Sequence, residues 1–206
     1  LDDSFARIGL TVLRGAGLRV GELLDLELGS VIDYGPAGTW LKVPLGKLAT
    51  ERMVPLSVAT IAALDEWTTG RGICRPLPHP RTGALTDFLF VAHGRRLSQT
   101  RLRNGLIAAV ETCGLRGAGG APLVVTPHQL RHTWATELAN AGMSLQALMA
   151  LLGHVTPQMT LRYATLASPT LRDAYDQAMG KMRRRFTLTP VGKPIVPDAV
   201  IWLGSE

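Results

Sequence analysis

"TPHQLRHTWATELANAG", residues 126–142, is the stretch that decides the fold. Thr126 is an N-cap residue, Pro127 fits the first helical position, and Gln129 completes a capping box. Gly142 reads as the left-handed residue just past the helix end. Between them Leu130, Trp134, Leu138 and Ala141 recur at helical spacing and predict a core-facing stripe. At 3.6 residues per turn, His128 and Arg131 project near each other on the flank of that stripe. His128 falls in the first turn, where free backbone N–H groups and the helix dipole favour an anion. The guanidinium of Arg131, one turn on, adds a fork suited to phosphate oxygens.

Working outward, the 206 residues suit one substantial core and a single domain. A hydrophobic content of 46% with 18% charged residues describes a globular chain and excludes general disorder. No run of eighteen apolar residues predicts a membrane span, and no signal-peptide pattern opens the chain, so a cytoplasmic protein is expected. The formal net charge is +6 and the isoelectric point about 9.9, which suits a polyanionic partner such as nucleic acid. Cys74 and Cys113 have no metal-type spacing and read as free thiols. A metal site on His128 and His132 lacks a third ligand at recognisable spacing, and Arg131 between them would repel a cation. The chain opens on Leu1, which suggests a piece of something longer.

The remaining segments predict mainly helices with one small antiparallel sheet, an α+β fold. "SFARIGLTVLR" (4–14) carries Phe5, Ile8, Leu10, Val12 and Leu13 as a packed helix, and a second short helix starts near Arg19 after a glycine turn. "SVIDY", "TWLKV" and "ERMVPL" read as a three-strand meander. "SVATIAALDEWTTG" (57–70) is helical with Ser57 as N-cap, residues 70–84 form a surface loop, and "DFLFVA" (87–92) is a short strand or buried segment. "SQTRLRNGLIAAVETCG" (98–114) is again helical. After Pro169 a last helix carries Leu171, Ala174, Tyr175, Ala178 and Met179 on one stripe, and residues 187–206 are expected to form a tail that is irregular or docks on its own domain or a neighbour.

A second stretch, "LMALLGHVTPQMTLRYATL" (148–166), ends an apolar helix at Gly153, sets His154 just outside it, and brings up Tyr163 nine positions later. Taken alone, this is either a helix-turn-helix corner with polar residues on its rim or an active site with a tyrosine nucleophile. Four segments in order, "GAGLRVGEL", "GKLATERMVPL", "HQLRHTWATELANAG" and "LLGHVTPQMTLRY", resemble the signature blocks of the tyrosine recombinases, or phage-type integrases. The resemblance spans residues 1 to about 180 and implies the DNA breaking-rejoining fold of that family's catalytic domain. It assigns residues 1–186 to this domain and implies that the N-terminal DNA-clamping domain is absent from the chain.

By the same resemblance the catalytic set is Arg19, Lys47, His128, Arg131, His154 and Tyr163, with Lys42 as the alternative to Lys47. Leu48 stands where the family has glycine, Thr50 where it has a second lysine, and Gly21 where serine or threonine is common. The implied chemistry is strand transfer through a covalent 3′-phosphotyrosine. Two guanidiniums neutralise the phosphate, His128 takes the phenol proton, Lys47 protonates the leaving oxygen, and His154 positions Tyr163. No metal or nucleotide cofactor is expected. The implied partner is double-stranded DNA, bound by a tetramer of the full-length protein, with the fragment itself a monomer. Two alternatives stand beside this reading: a helix-turn-helix regulator that binds without cutting, and a relaxing topoisomerase of the same chemistry.

Overall fold

The computed structural model describes residues 3–44, 51–117 and 119–154. Helix α1 (Ser4–Gly15) runs through the centre, capped by Asp3, whose side chain accepts from the Ala6 N–H. Phe5, Ile8, Leu10, Val12 and Leu13 are all buried, as their spacing predicts. A tight turn at Gly17 leads to the short helix α2 (Val20–Leu24), with Arg19 at its N-cap.

The expected meander is present. Strands β1 (Val31–Asp33), β2 (Thr39–Val43) and β3 (Arg52–Pro55) pair antiparallel in the order β1-β2-β3. Leu41 and Val43 on β2 and Val54 on β3 face the core. Arg52, paired in register with Val43, shares that inward face.

Helix α3 (Val58–Gly70) begins at the Ser57 cap and packs Trp67 flat against Phe5, with ring centroids 4.6 Å apart. The Trp67 indole N–H donates to the Leu89 carbonyl at 2.8 Å, so its one polar atom is satisfied in the core. The loop expected over residues 70–84 is more structured than its Pro and Gly content suggests. It holds β4 (Leu77–Pro78), which pairs with β5 (Leu85–Thr86) as a two-stranded ribbon. In "DFLFVA" Phe88, Leu89 and Phe90 are buried; Phe88 forms an isolated antiparallel bridge with Glu27, and β6 (Val91–Ala92) pairs with β7 (Arg95–Arg96).

Helix α4 (Gln99–Thr112) starts at Ser98 and buries Leu102, Leu106 and Val110. Helix α5 (Pro127–Asn140) has the predicted capping box at Thr126 and Gln129, and Gly142 adopts φ +86° beyond it. Its buried line differs from the expected stripe. Arg131, Ala135 and Ala139 face inward, Leu130, Trp134 and Leu138 are half-buried beside them, and Ala141 is exposed. The small alanines let α5 approach helix α6 (Leu145–Leu152) closely, and Ala135, Ala139, Leu148 and Leu152 form a second small core there. Gly153 ends α6 in the left-handed conformation, as expected for a glycine at that position. Among the described residues no helix is long and apolar enough to cross a membrane.

Candidate active site

Glu22 is the centre of the charged cluster and only 4% exposed. Arg52 meets it with a parallel pair of bonds, Nη1 to Oε1 at 2.9 Å and Nη2 to Oε2 at 2.8 Å. Arg19 adds its own Nη1 to Oε1 at 2.7 Å and its backbone N–H to Oε2 at 2.7 Å. Arg131 Nη1 stands 3.6 Å from Oε2. One carboxylate thus faces three guanidiniums, leaving a surplus of positive charge. Burial alone would raise the Glu22 pKa. The bonds and charge of Arg52, joined by those of Arg19, outweigh it and hold the carboxyl at about 2, against an ordinary 4.5.

The C-terminal end of α6 supplies the second anchor. The last carbonyls of a helix lack intrahelical donors and carry its negative dipole end, so cations gather there. Arg52 Nε donates to the Leu151 carbonyl at 2.7 Å. Arg131 Nη2 donates to the Leu152 carbonyl at 2.6 Å, and Arg19 Nη1 reaches the same oxygen at 3.5 Å. Arg131 Nη1 also donates to the Gly17 carbonyl. Immediately after this helix end, His154 brings Nε2 within 3.5 Å of Arg131 Nη2.

Arg19, Arg131 and His154, which come from separate segments of the chain, therefore converge on one place. Arg131 is 1% exposed and His154 half-buried, while the Arg19 side chain is about a third exposed. His128 sits exposed on the first turn of α5, one turn ahead of Arg131. It borders a cavity of about 570 Å³ lined by Val20, Arg103, Ile107, Val110 and Val125, a largely apolar wall. Lys47 and Tyr163 lie outside the described residues, as do the last helix and the tail. Lys42, the alternative lysine, stands on the outer face of β2, 3.3 Å from Glu51 and on the opposite face from Arg52. Among the described residues no group of three or more His, Cys, Asp or Glu side chains is placed to hold a metal ion.

Arg52 is the participant that the sequence reading missed. The available signal was strand alternation: a charge two positions from Val54 on an inward face requires a buried carboxylate opposite it.

Comparison with known proteins gives the family and the fold. The model of the phage integrase family matches residues 3–169. The tyrosine recombinase XerC of Myxococcus xanthus is 32% identical over 170 residues, which cover 82% of this chain and 53% of that protein. XerC of Pelobacter propionicus is 33% identical over 175 residues, covering 84% and 52%. The chain spans about half the length of these curated relatives. Among solved structures, the XerA recombinase superposes with a TM-score of 0.62 at 26% identity, over 86% of this chain and 59% of that one. The XerH recombinase bound to its difH substrate gives the same TM-score at 22% identity, over 84% and 46%, a likeness of fold.

Proposed function

Because the chain belongs to the phage integrase family, we propose that it is the catalytic part of a site-specific recombinase that cuts and rejoins double-stranded DNA through a covalent phosphotyrosine. The observation that carries this reading is the convergence of Arg19, Arg131 and His154 on the Glu22 carboxylate and the end of α6. A phosphodiester resists nucleophiles because its charge repels them. A preorganised cluster with surplus positive charge offsets that repulsion and stabilises the charge that grows in the pentacoordinate transition state.

In the proposed reaction the Tyr163 oxygen attacks phosphorus, forming the phenolic O–P bond while the bond to the 5′-oxygen breaks. The phenol, with a reference pKa of about 10, passes its proton to His128. The leaving 5′-oxygen takes a proton from Lys47, and His154 donates to a phosphate oxygen. The products are a 3′-phosphotyrosine and a free 5′-hydroxyl. A 5′-hydroxyl of a second strand then reverses the steps, exchanging one phosphoester for another at little net energy change. The roles of Lys47 and Tyr163 rest on the sequence blocks, and the set requires neither metal nor nucleotide.

Residues 1–186 form the catalytic domain in this reading, and the full-length protein assembles as a tetramer on DNA. The apolar stripe after Pro169 docks on its own domain or on a neighbouring protomer. The decisive experiment uses nicked suicide duplexes tiled across the DNA that flanks the coding sequence. Wild type should become covalently attached, whereas Tyr163→Phe should bind without attachment. Binding by wild type with no adduct on any duplex would favour a regulator that does not cut.

A further inference from the structure

Arg52 stands apart from the six residues of the proposed reaction, yet it is bonded into the same cluster. It is 8% exposed, it engages both oxygens of Glu22, and its remaining Nε donates to the Leu151 carbonyl. Arg131 donates to two neutral acceptors, the carbonyls of Gly17 and Leu152, and stands 3.6 Å from the Glu22 carboxylate. Neutral acceptors orient a guanidinium without cancelling its charge, and one carboxylate shared among three guanidiniums can offset only one of their charges.

We infer that Arg52 is a positioning residue that serves as the resident counter-charge of Glu22, so that Glu22 can hold Arg19 and Arg131 in place while their positive charge stays available to the scissile phosphate. The inference deepens the recombinase reading and rests on it. Among the described residues, the other cations beside Glu22 are the two assigned to the phosphate, and without Arg52 a buried carboxylate would draw on them. Arg52 also ties β3 to the end of α6 that carries His154, so one side chain fixes three of the elements around the site.

The test is the single-turnover cleavage rate on a nicked suicide duplex, made with either an ordinary phosphodiester or a methylphosphonate at the position wild type cleaves. A methylphosphonate lacks one anionic oxygen and so demands less positive charge. Relative to wild type on each substrate, R52Q should lose about tenfold or more on the diester and less than about threefold on the methylphosphonate. The double variant E22Q/R52Q removes the carboxylate as well, and with it the hold on Arg19 and Arg131, and should cleave the diester faster than R52Q but slower than wild type. Equal losses on both substrates, no loss, or a double variant no faster than R52Q would overturn the inference. Should R52Q not melt cooperatively, R52K decides, since it keeps a cation beside Glu22. A diester rate within about tenfold of wild type upholds the inference, and a larger loss overturns it. A wild type that forms no adduct overturns the recombinase reading and this inference together; an adduct with the wrong variant pattern overturns only the inference.

Discussion

Arg131 Nη1 donates to the Gly17 carbonyl at 2.5 Å, across 114 positions of sequence. This bond joins the turn before α2, which carries Arg19, to the helix that carries His128. The same contact is sealed by Trp134, one turn along α5. Its ring lies so close to Gly17 that a Cβ there would meet it at 2.2 Å. Gly17 also adopts φ +58°, a conformation that L side chains avoid.

Gly17→Ala is therefore expected to destabilise the fold by about 2–4 kcal/mol through strain and overpacking together. Urea unfolding measures this directly. A change below about 0.5 kcal/mol would mean that the turn and Trp134 are not held as described.

Glu22→Gln leaves three buried or half-buried guanidiniums without their anion and should cost about 3–5 kcal/mol at neutral pH. The depressed Glu22 pKa gives the sign of the pH dependence. The stabilisation is fully present above the ordinary 4.5 and is lost as pH falls towards about 2. Unfolding free energies of wild type and variant should thus converge over that window. A gap that stays constant down to pH 2 would contradict the assigned ionisation.

Arg131→Lys replaces a planar fork by one ammonium that cannot satisfy both the Gly17 and Leu152 carbonyls in the same geometry. If Arg131 acts as the proposed reaction requires, cleavage should fall by about a hundredfold or more, because the proposed phosphate donor loses its fixed orientation. Adduct formation in a quenched time course reads the effect, and a loss under about threefold would remove Arg131 from the transition state.

His128→Ala offers the cleanest separation of chemistry from fold, because His128 is exposed at a helix start. The melting temperature should stay within about 2 °C of wild type, while cleavage drops about 100- to 10,000-fold. An unchanged rate would show that another group accepts the tyrosine proton.

The sequence carried the elements whose signals are local. The box at Thr126 and Gln129, the caps Ser57 and Ser98, the left-handed Gly142 and Gly153, and the alternating strands of the meander all lie within a few residues of the features they set. The family blocks also put Arg19, Arg131 and His154 in one set. The inward line of α5 was harder to read, because Ala135 and Ala139 are small and Arg131 is charged, whereas the larger Leu130 and Trp134 dominate any hydrophobic pattern.

Tertiary structure alone decided how the charges are shared. Glu22 and Arg52 lie 30 positions apart, and the carbonyls that orient Arg131 belong to Gly17 and Leu152, which carry no side-chain signal for such a role. Backbone acceptors become specific only when a helix ends or a turn closes beside a buried cation. Sequence therefore named the residues that the proposed reaction sets against a phosphate, and folding determined how their charges are shared with Glu22.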